Sequence, residues 1–227
     1  MSSFLSALQL ADSLFPSGAF AHSYGLEQLV ADGVVRNADS LRLLLEVELH
    51  ERLARADLAA LLAAHDAAGR GDERRPVLAD RALISVKLAR EDREGSMRVG
   101  RRLLVECARL APSPALAAHL GAVERAQAPG NAAVALGLGA AAMGMEGREA
   151  ALLAAYTYCS TQVAAALRLL RLGHGEAQAA LRAAQPAMAA AVELATRTPW
   201  NELMPCGPQL DAASARHERA EARLFAS

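Results

Sequence analysis

This sequence predicts an all-α fold: a single-domain helical bundle with an irregular N-terminal loop and a C-terminal tail. Three observations carry that reading. Of the 227 residues, 54 are Ala and 36 are Leu, both among the strongest helix formers. Hydrophobic residues make up 53% while aromatics make up 4%, and sheets draw on aromatic and β-branched side chains that are scarce here. Between the Gly and Pro punctuation, apolar residues recur at a spacing of three and four, the period of a helix with one buried face. The same apolar content excludes a disordered chain, which lacks the side chains to offset the entropy of ordering.

The elements follow in order. An apolar stretch, Phe4 to Ala11, leads into a loop holding Pro16 and Gly18, and a short helix runs from Gly25 to Ala31 before Gly33. Asp39 is the expected N-cap of a long helix, since its carboxylate accepts from free first-turn amides. Leu41, Leu44, Leu45, Leu49 and Leu53 form its apolar stripe, and it is expected to reach Ala68 and stop at Gly69-Arg70-Gly71-Asp72. Helical pattern resumes over Val77 to Ala89 and Met97 to Leu110, with the charge-dense Arg90-Glu91-Asp92-Arg93-Glu94-Gly95 between them. Pro112 and Pro114 precede a short helix to Arg125. The helix from Ala132 to Met143 has almost no bulky side chains, and its glycines point to close approach between helices, which also suits a homodimer face.

The helix from Arg148 to Leu172 has a stripe of Leu152, Tyr156, Cys159, Val163, Leu167 and Leu170 and an Ala-rich opposite side, so it belongs in the middle of the bundle. Helices Glu176 to Ala184 and Pro186 to Ala195 follow. Residues 1–25 thus form the N-terminal segment and loop, 26–196 the bundle, and 197–227 a Pro-rich tail with a short helix from Ala212 to Arg223. Two uncharged runs approach membrane length. One, from Ala150 to Leu167, is interrupted by hydroxyl and amide side chains; the other, from Ala126 to Met145, is broken by Pro129-Gly130-Asn131. Neither is expected to span a bilayer.

Charge and cysteines narrow the function. With 24 basic and 25 acidic residues, no overall field attracts nucleic acid or an anionic membrane. Cys107, Cys159 and Cys206 lie far apart, form no CxxC and are odd in number, so no disulfide framework is expected. No basic stretch precedes an apolar one at the N-terminus, so no signal peptide is expected and a cytoplasmic location follows. Six His and three Cys include no pair at metal-ligand spacing, which predicts no metal site in the isolated chain. No GxxxxGKS loop occurs and Lys87 is the only lysine, so this chain is not expected to be a P-loop GTPase; no cofactor is expected.

Two segments break the Ala and Leu monotony. The first, Leu14 to Glu27, gathers Phe15, Phe20, His22 and Tyr24 on a loop punctuated by Pro16 and Gly18. It reads either as a plug for the end of the bundle or as a recognition surface. Catalysis by His22 with Ser17 or Ser23, in a small all-α enzyme, is a weaker reading. The second segment is the C-terminus, from Leu210 to Ser227. A helical transcriptional regulator is a third class, opposed by the near-neutral charge and the absence of a basic first fifty residues. Separately, Arg98, Arg101 and Arg102 share one helix face. The plain reading is a solvated face partly neutralised by Glu94, and a partner-docking patch is the second.

These two segments are also where the chain resembles the UreF family of urease accessory proteins. The carriers are Leu8-Gln9-Leu10 and Phe15-Pro16-x-Gly18-x-Phe20-x-His22-Ser23-x-Gly25-Leu26-Glu27 at one end. At the other they are Ala213-Ser214-x-x-x-His217-Glu218 and Arg223-Leu224-Phe225-x-Ser227. Gly100 to Leu104 and Tyr156 to Val163 fit between them. Arg171 and His174 depart from the usual residues around Leu172-Gly173, as does the insert Met204 to Pro208. The resemblance implies a non-catalytic, all-α, homodimeric scaffold that binds UreD (also called UreH), recruits the GTPase UreG and docks on apo-urease for GTP-dependent nickel delivery. It places Phe20, Tyr24 and Arg223 on the UreG side. Ser214, His217, Glu218, Leu224 and Phe225 fall on the UreD side, in a tail that UreD would order.

Overall fold

The computed structural model describes residues 3–16, 24–218 and 224–225. Among them every regular element is a helix. The first two are α1 (Ser3–Ala11) and α2 (Leu26–Ala31), followed by α3 (Ala38–Glu48), α4 (Asp57–Arg70), α5 (Arg74–Val86) and α6 (Arg90–Leu110). The second half contains α7 (Pro114–Glu124), α8 (Ala132–Ala142), α9 (Gly147–Leu169), α10 (His174–Ala183), α11 (Gln185–Thr196) and α12 (Pro208–His217). One apolar cluster runs from Leu10 to Phe225 and takes in residues of every helix from α1 to α12.

The long helix expected from Asp39 to Ala68 is two helices. A π turn over Leu49–Leu53 ends α3, and Ala56 leaves helical geometry altogether (φ −142°, ψ −79°) before α4 begins. The break is occupied from outside: the Cys206 amide donates to the Glu51 carbonyl (2.8 Å) and the Met204 amide to the Arg55 carbonyl (3.3 Å). Apolar periodicity continues across the break, which is why the sequence hides it. The cap is Asn37 rather than Asp39. Asn37 Oδ1 accepts from the Ser40 amide and the Ser40 hydroxyl accepts from the Asn37 amide, a reciprocal capping box. Asp39 sits in the first turn, where a carboxylate favours the positive end of the helix dipole.

The charged stretch 90–95 is the opening of α6, not a linker. Glu91 and Asp92 are buried there because their partners arrive from α12 and from the π turn. Of the stripe expected over Arg148 to Leu172, Cys159 and Val163 are buried and Leu167 and Leu170 pack partly buried against the core, but Leu152 and Tyr156 face out, and Leu153 and Gln162 are buried in their stead. The helix expected in the tail over Ala212 to Arg223 lies earlier, over Pro208–His217, with Pro208 opening it.

Small residues pack the centre. α4 lies against α5, α8, α9 and α11, and α8 is held between α4 and α6. A Cβ on Gly137 would overlap the Leu61 carbonyl oxygen, and one on Gly139 would come within 2.6 Å of Cys107 Sγ. The glycines of α8 are therefore used inside the chain, not on an exposed face. One buried carboxylate then locks three helices. Asp80 of α5 accepts from the amides of Gly130 (2.7 Å) and Asn131 (2.9 Å) and from Asn131 Nδ2 (2.6 Å), and His119 Nε2 of α7 lies at 3.1 Å. Among the described residues α9 alone is long and apolar enough to cross a membrane, and 56% of its apolar window is buried in the bundle.

Candidate functional site

The two motif-bearing ends of the chain meet in space. α12 packs on α2 and α6, and the approach is close enough that a Cβ on Gly25 would stand 2.9 Å from Ser214 Oγ. Gly25 is left-handed (φ 86°), a conformation that glycine adopts without a Cβ penalty. Glu27, in the first turn of α2, is the hub. Its carboxylate accepts from His217 Nε2 (2.9 Å), the Leu224 amide (2.9 Å) and the Phe225 amide (3.2 Å). Burial works against the Glu27 charge, but these donors outweigh it and hold the carboxyl below its ordinary range.

His217 is buried between two carboxylates, with Nδ1 at 3.0 Å from Glu91 and Nε2 on Glu27. An imidazolium at this position can donate to both at once. Glu218 pairs with Arg90 (2.6 Å), Arg216 with Asp32, and the Arg168 guanidinium lies over the Phe225 ring at 4.7 Å. Phe225 is buried beneath that cation and Leu224 is exposed. The result is a clasp that joins α2, α6, α9 and α12.

A second polar cluster lies behind it at the α3–α4 break. Arg52 pairs with Asp92 (2.7 Å) and approaches Glu48 (3.7 Å), and the Tyr158 hydroxyl donates to Glu48. Gln162 Nε2 reaches the Tyr158 oxygen at 3.0 Å. Burial pushes the Glu48 carboxyl up to about 7, against the opposing pull of Arg52 and of the Tyr158 hydrogen bond. Tyr24, left-handed (φ 51°) and half-buried, packs its ring 5.2 Å from that of Tyr158, and burial raises its phenol as well. Lys87 pairs with Asp57 at 2.9 Å. Burial alone would lower its pKa, but Asp57 and Asp92 hold it above the ordinary value. Tyr24, Arg52, Asp57, Lys87, Asp92 and Tyr158 line a cleft of about 160 Å³ whose other walls are mostly apolar residues of α1, α4, α6, α8 and α9.

The expected site residues divide accordingly. Ser214, His217 and Phe225 are buried within the chain, Glu218 is partly buried in its ion pair, and Leu224 alone is largely open. Tyr24 stands with the Glu48 cluster. Phe20 and Arg223 lie outside the described residues, as do Ser17, His22 and Ser23. No group of three His, Cys, Asp or Glu among the described residues is placed to hold a metal ion. Sequence reading missed Glu48, Arg52, Glu91 and Asp92. The available signal was Tyr158 and Gln162, polar groups in an apolar helix, but nothing local named their partners more than 100 residues away.

Comparison with known proteins decides the family. The sequence model of UreF matches residues 35–185. The chain is 34% identical to the urease accessory protein UreF of Paenarthrobacter aurescens over 225 residues, 98% of this chain and 97% of that one. It is 30% identical to the UreF of Bacillus sp. (strain TB-90) over the full length of both chains. It is also 31% identical to UreF 1 of Brucella melitensis, covering 97% of this chain and 91% of that one. The chain belongs to the UreF family. It is a urease accessory protein and not an enzyme. The family match stops short of α2 and α12, the two ends that the clasp brings together, whereas the full-length relatives extend across them. The buried pairs in the cleft accordingly read as structure rather than as a catalytic constellation.

Proposed function

We propose that this UreF-family chain is a cytoplasmic, homodimeric scaffold that brings UreD (UreH) and the GTPase UreG to apo-urease for GTP-dependent nickel insertion. The observation that carries the reading is the clasp. The two segments with the family's signature are far apart in sequence and share one carboxylate, Glu27, so a partner that touches one end senses the other. Within this reading Phe20, Tyr24 and Arg223 serve the UreG side, and Ser214, His217, Glu218, Leu224 and Phe225 the UreD side. Of the second group, Leu224 offers itself directly, while the buried members set its position. An exposed apolar set supports the homodimer: Phe4, Leu5 and Leu8 on α1, with Leu152 and Tyr156 on the α9 helix against which α1 packs.

Co-purification tests the scaffold. Wild type, Arg223→Ala and Leu224→Glu are compared for retention of UreD and UreG. The expected outcome is loss of UreG with the first variant and of UreD with the second, each keeping the other partner. If both variants retain both partners as wild type does, the terminal surfaces are not the docking sites.

A further inference from the structure

A cluster of arginines on the α5–α6–α7 side of the molecule has no role in the clasp. Arg98, Arg101 and Arg102 of α6, Arg81 of α5 and Arg125 just after α7 are all exposed. None has an acidic partner among the described residues. The nearest acids on α6 are committed elsewhere, Glu94 to Arg90 and Glu106 to Arg109. Glu124 stands exposed beside Arg125. Five unpaired guanidinium groups on one face repel each other, so their concentration is a cost to the isolated fold.

The face is organised by a single loop. Gly100 of α6 is pressed against the backbone of Gly130 and Asn131, and the Arg101 stem covers Gly130. Arg81 Nε donates to the Gln127 carbonyl (2.7 Å) and Arg125 Nε to Gln127 Oε1 (3.2 Å). The loop is itself tied to the core by Asp80 through the Gly130 and Asn131 amides. Arg81 and Arg125 are thus anchored through Nε, with the Arg125 guanidinium lying over Gly121 of α7, and exposed guanidinium groups of this kind can receive a carboxylate in bidentate fashion. Val105, exposed one turn beyond Arg101 and Arg102, adds an apolar contact, and Arg around a small apolar centre is the composition of a protein interface.

We propose that this arginine face is a docking surface for an acidic patch on a folded protein partner in urease assembly. The proposal rests on membership in the accessory family, not on the roles given to the chain termini. A protein is favoured over nucleic acid because Glu94, Glu106 and Glu124 border the patch and the whole chain carries a net charge of −1. Such a border opposes an extended polyanion while admitting a local cluster of carboxylates.

The test uses the full-length chain carrying Arg98→Glu, Arg101→Glu and Arg102→Glu together. Its binding to purified apo-urease and to each other urease accessory protein of the same organism is measured at low and high salt. The expected result is a loss of about tenfold or more for one of them, with the wild-type interaction weakening steeply as salt rises. Should the charge-reversed chain fold poorly, Arg98→Gln with Arg102→Gln leaves Arg101 on the Gly130 turn and reads the same loss on a smaller scale. Unchanged binding to every component by a folded variant overturns the proposal and leaves the terminal docking surfaces untouched. Duplex DNA binding that is lost in the variant, with every protein affinity unchanged, also overturns it.

Discussion

The centre of the bundle and the clasp at its end are held by opposite means. Where α8 meets α4, Gly137 admits the Leu61 backbone and the contact is one of shape. Where α12 meets α2, one carboxylate collects three donors and a buried histidine collects two carboxylates. Shape contacts are unmade only by opening the core. Hydrogen bonds at the largely buried Glu27 carboxylate, beside the exposed Leu224, can be exchanged for those of water or of a partner at lower cost. The scaffold role proposed above, holding a frame and responding at one end, calls for both kinds of region.

Gly137→Ala breaks the first region and has the largest expected effect. Its Cβ meets backbone rather than a movable side chain, so α4 and α8 must separate. A loss of about 3 kcal/mol in chemical denaturation is expected. A loss below about 1 kcal/mol would show that the two helices slide apart freely and that the contrast is misplaced.

Between the two regions lies Glu48, and pH reads it. Its folded-state carboxyl stands at about 7 against an ordinary 4.5, so the native state keeps a proton that the unfolded chain releases. Stability from this group is therefore fully present below about 4.5 and falls as pH rises through about 7, by up to about 3 kcal/mol. Glu48→Gln is expected to remove that slope from the stability–pH profile. The same slope in the variant would assign the titration to another group.

Glu27→Gln sharpens the second region and has the smallest global effect. The amide turns a donor toward at least one of the Leu224, Phe225 and His217 donors, which costs about 1–2 kcal/mol locally. Hydrogen exchange is expected to quicken in α12 and leave α4 and α8 unchanged. In the wild type the sign is opposite to that of Glu48: Glu27 is held below 4.5, so its contribution is present above that pH and is lost as pH falls through the depressed value. Faster exchange in α4 as well would mean that clasp and core open together.

The helical class was legible because composition and period are local quantities. Ala and Leu at helical spacing, Gly and Pro between, and Pro114 at a helix start each act within a few residues. The π turn at Leu49–Leu53 was not legible, since the apolar stripe runs across it and the groups that stabilise it come from Cys206 and Met204. The motif residues Glu27 and His217 were visible in the sequence, but their pairing, 190 positions apart, was not.

By itself, then, the sequence determined that this protein is a helical bundle with two distinctive ends, and it carried the residues by which the UreF family is recognised. Only the tertiary structure decided which charges are buried. Glu91 and Asp92 open a helix in a charge-dense stretch that the apolar pattern leaves between helices, yet both are enclosed. The physical reason is that a buried charge is tolerated only where an opposite charge or donor meets it. His217 and Arg52 are brought to them by chain segments whose approach no local pattern records.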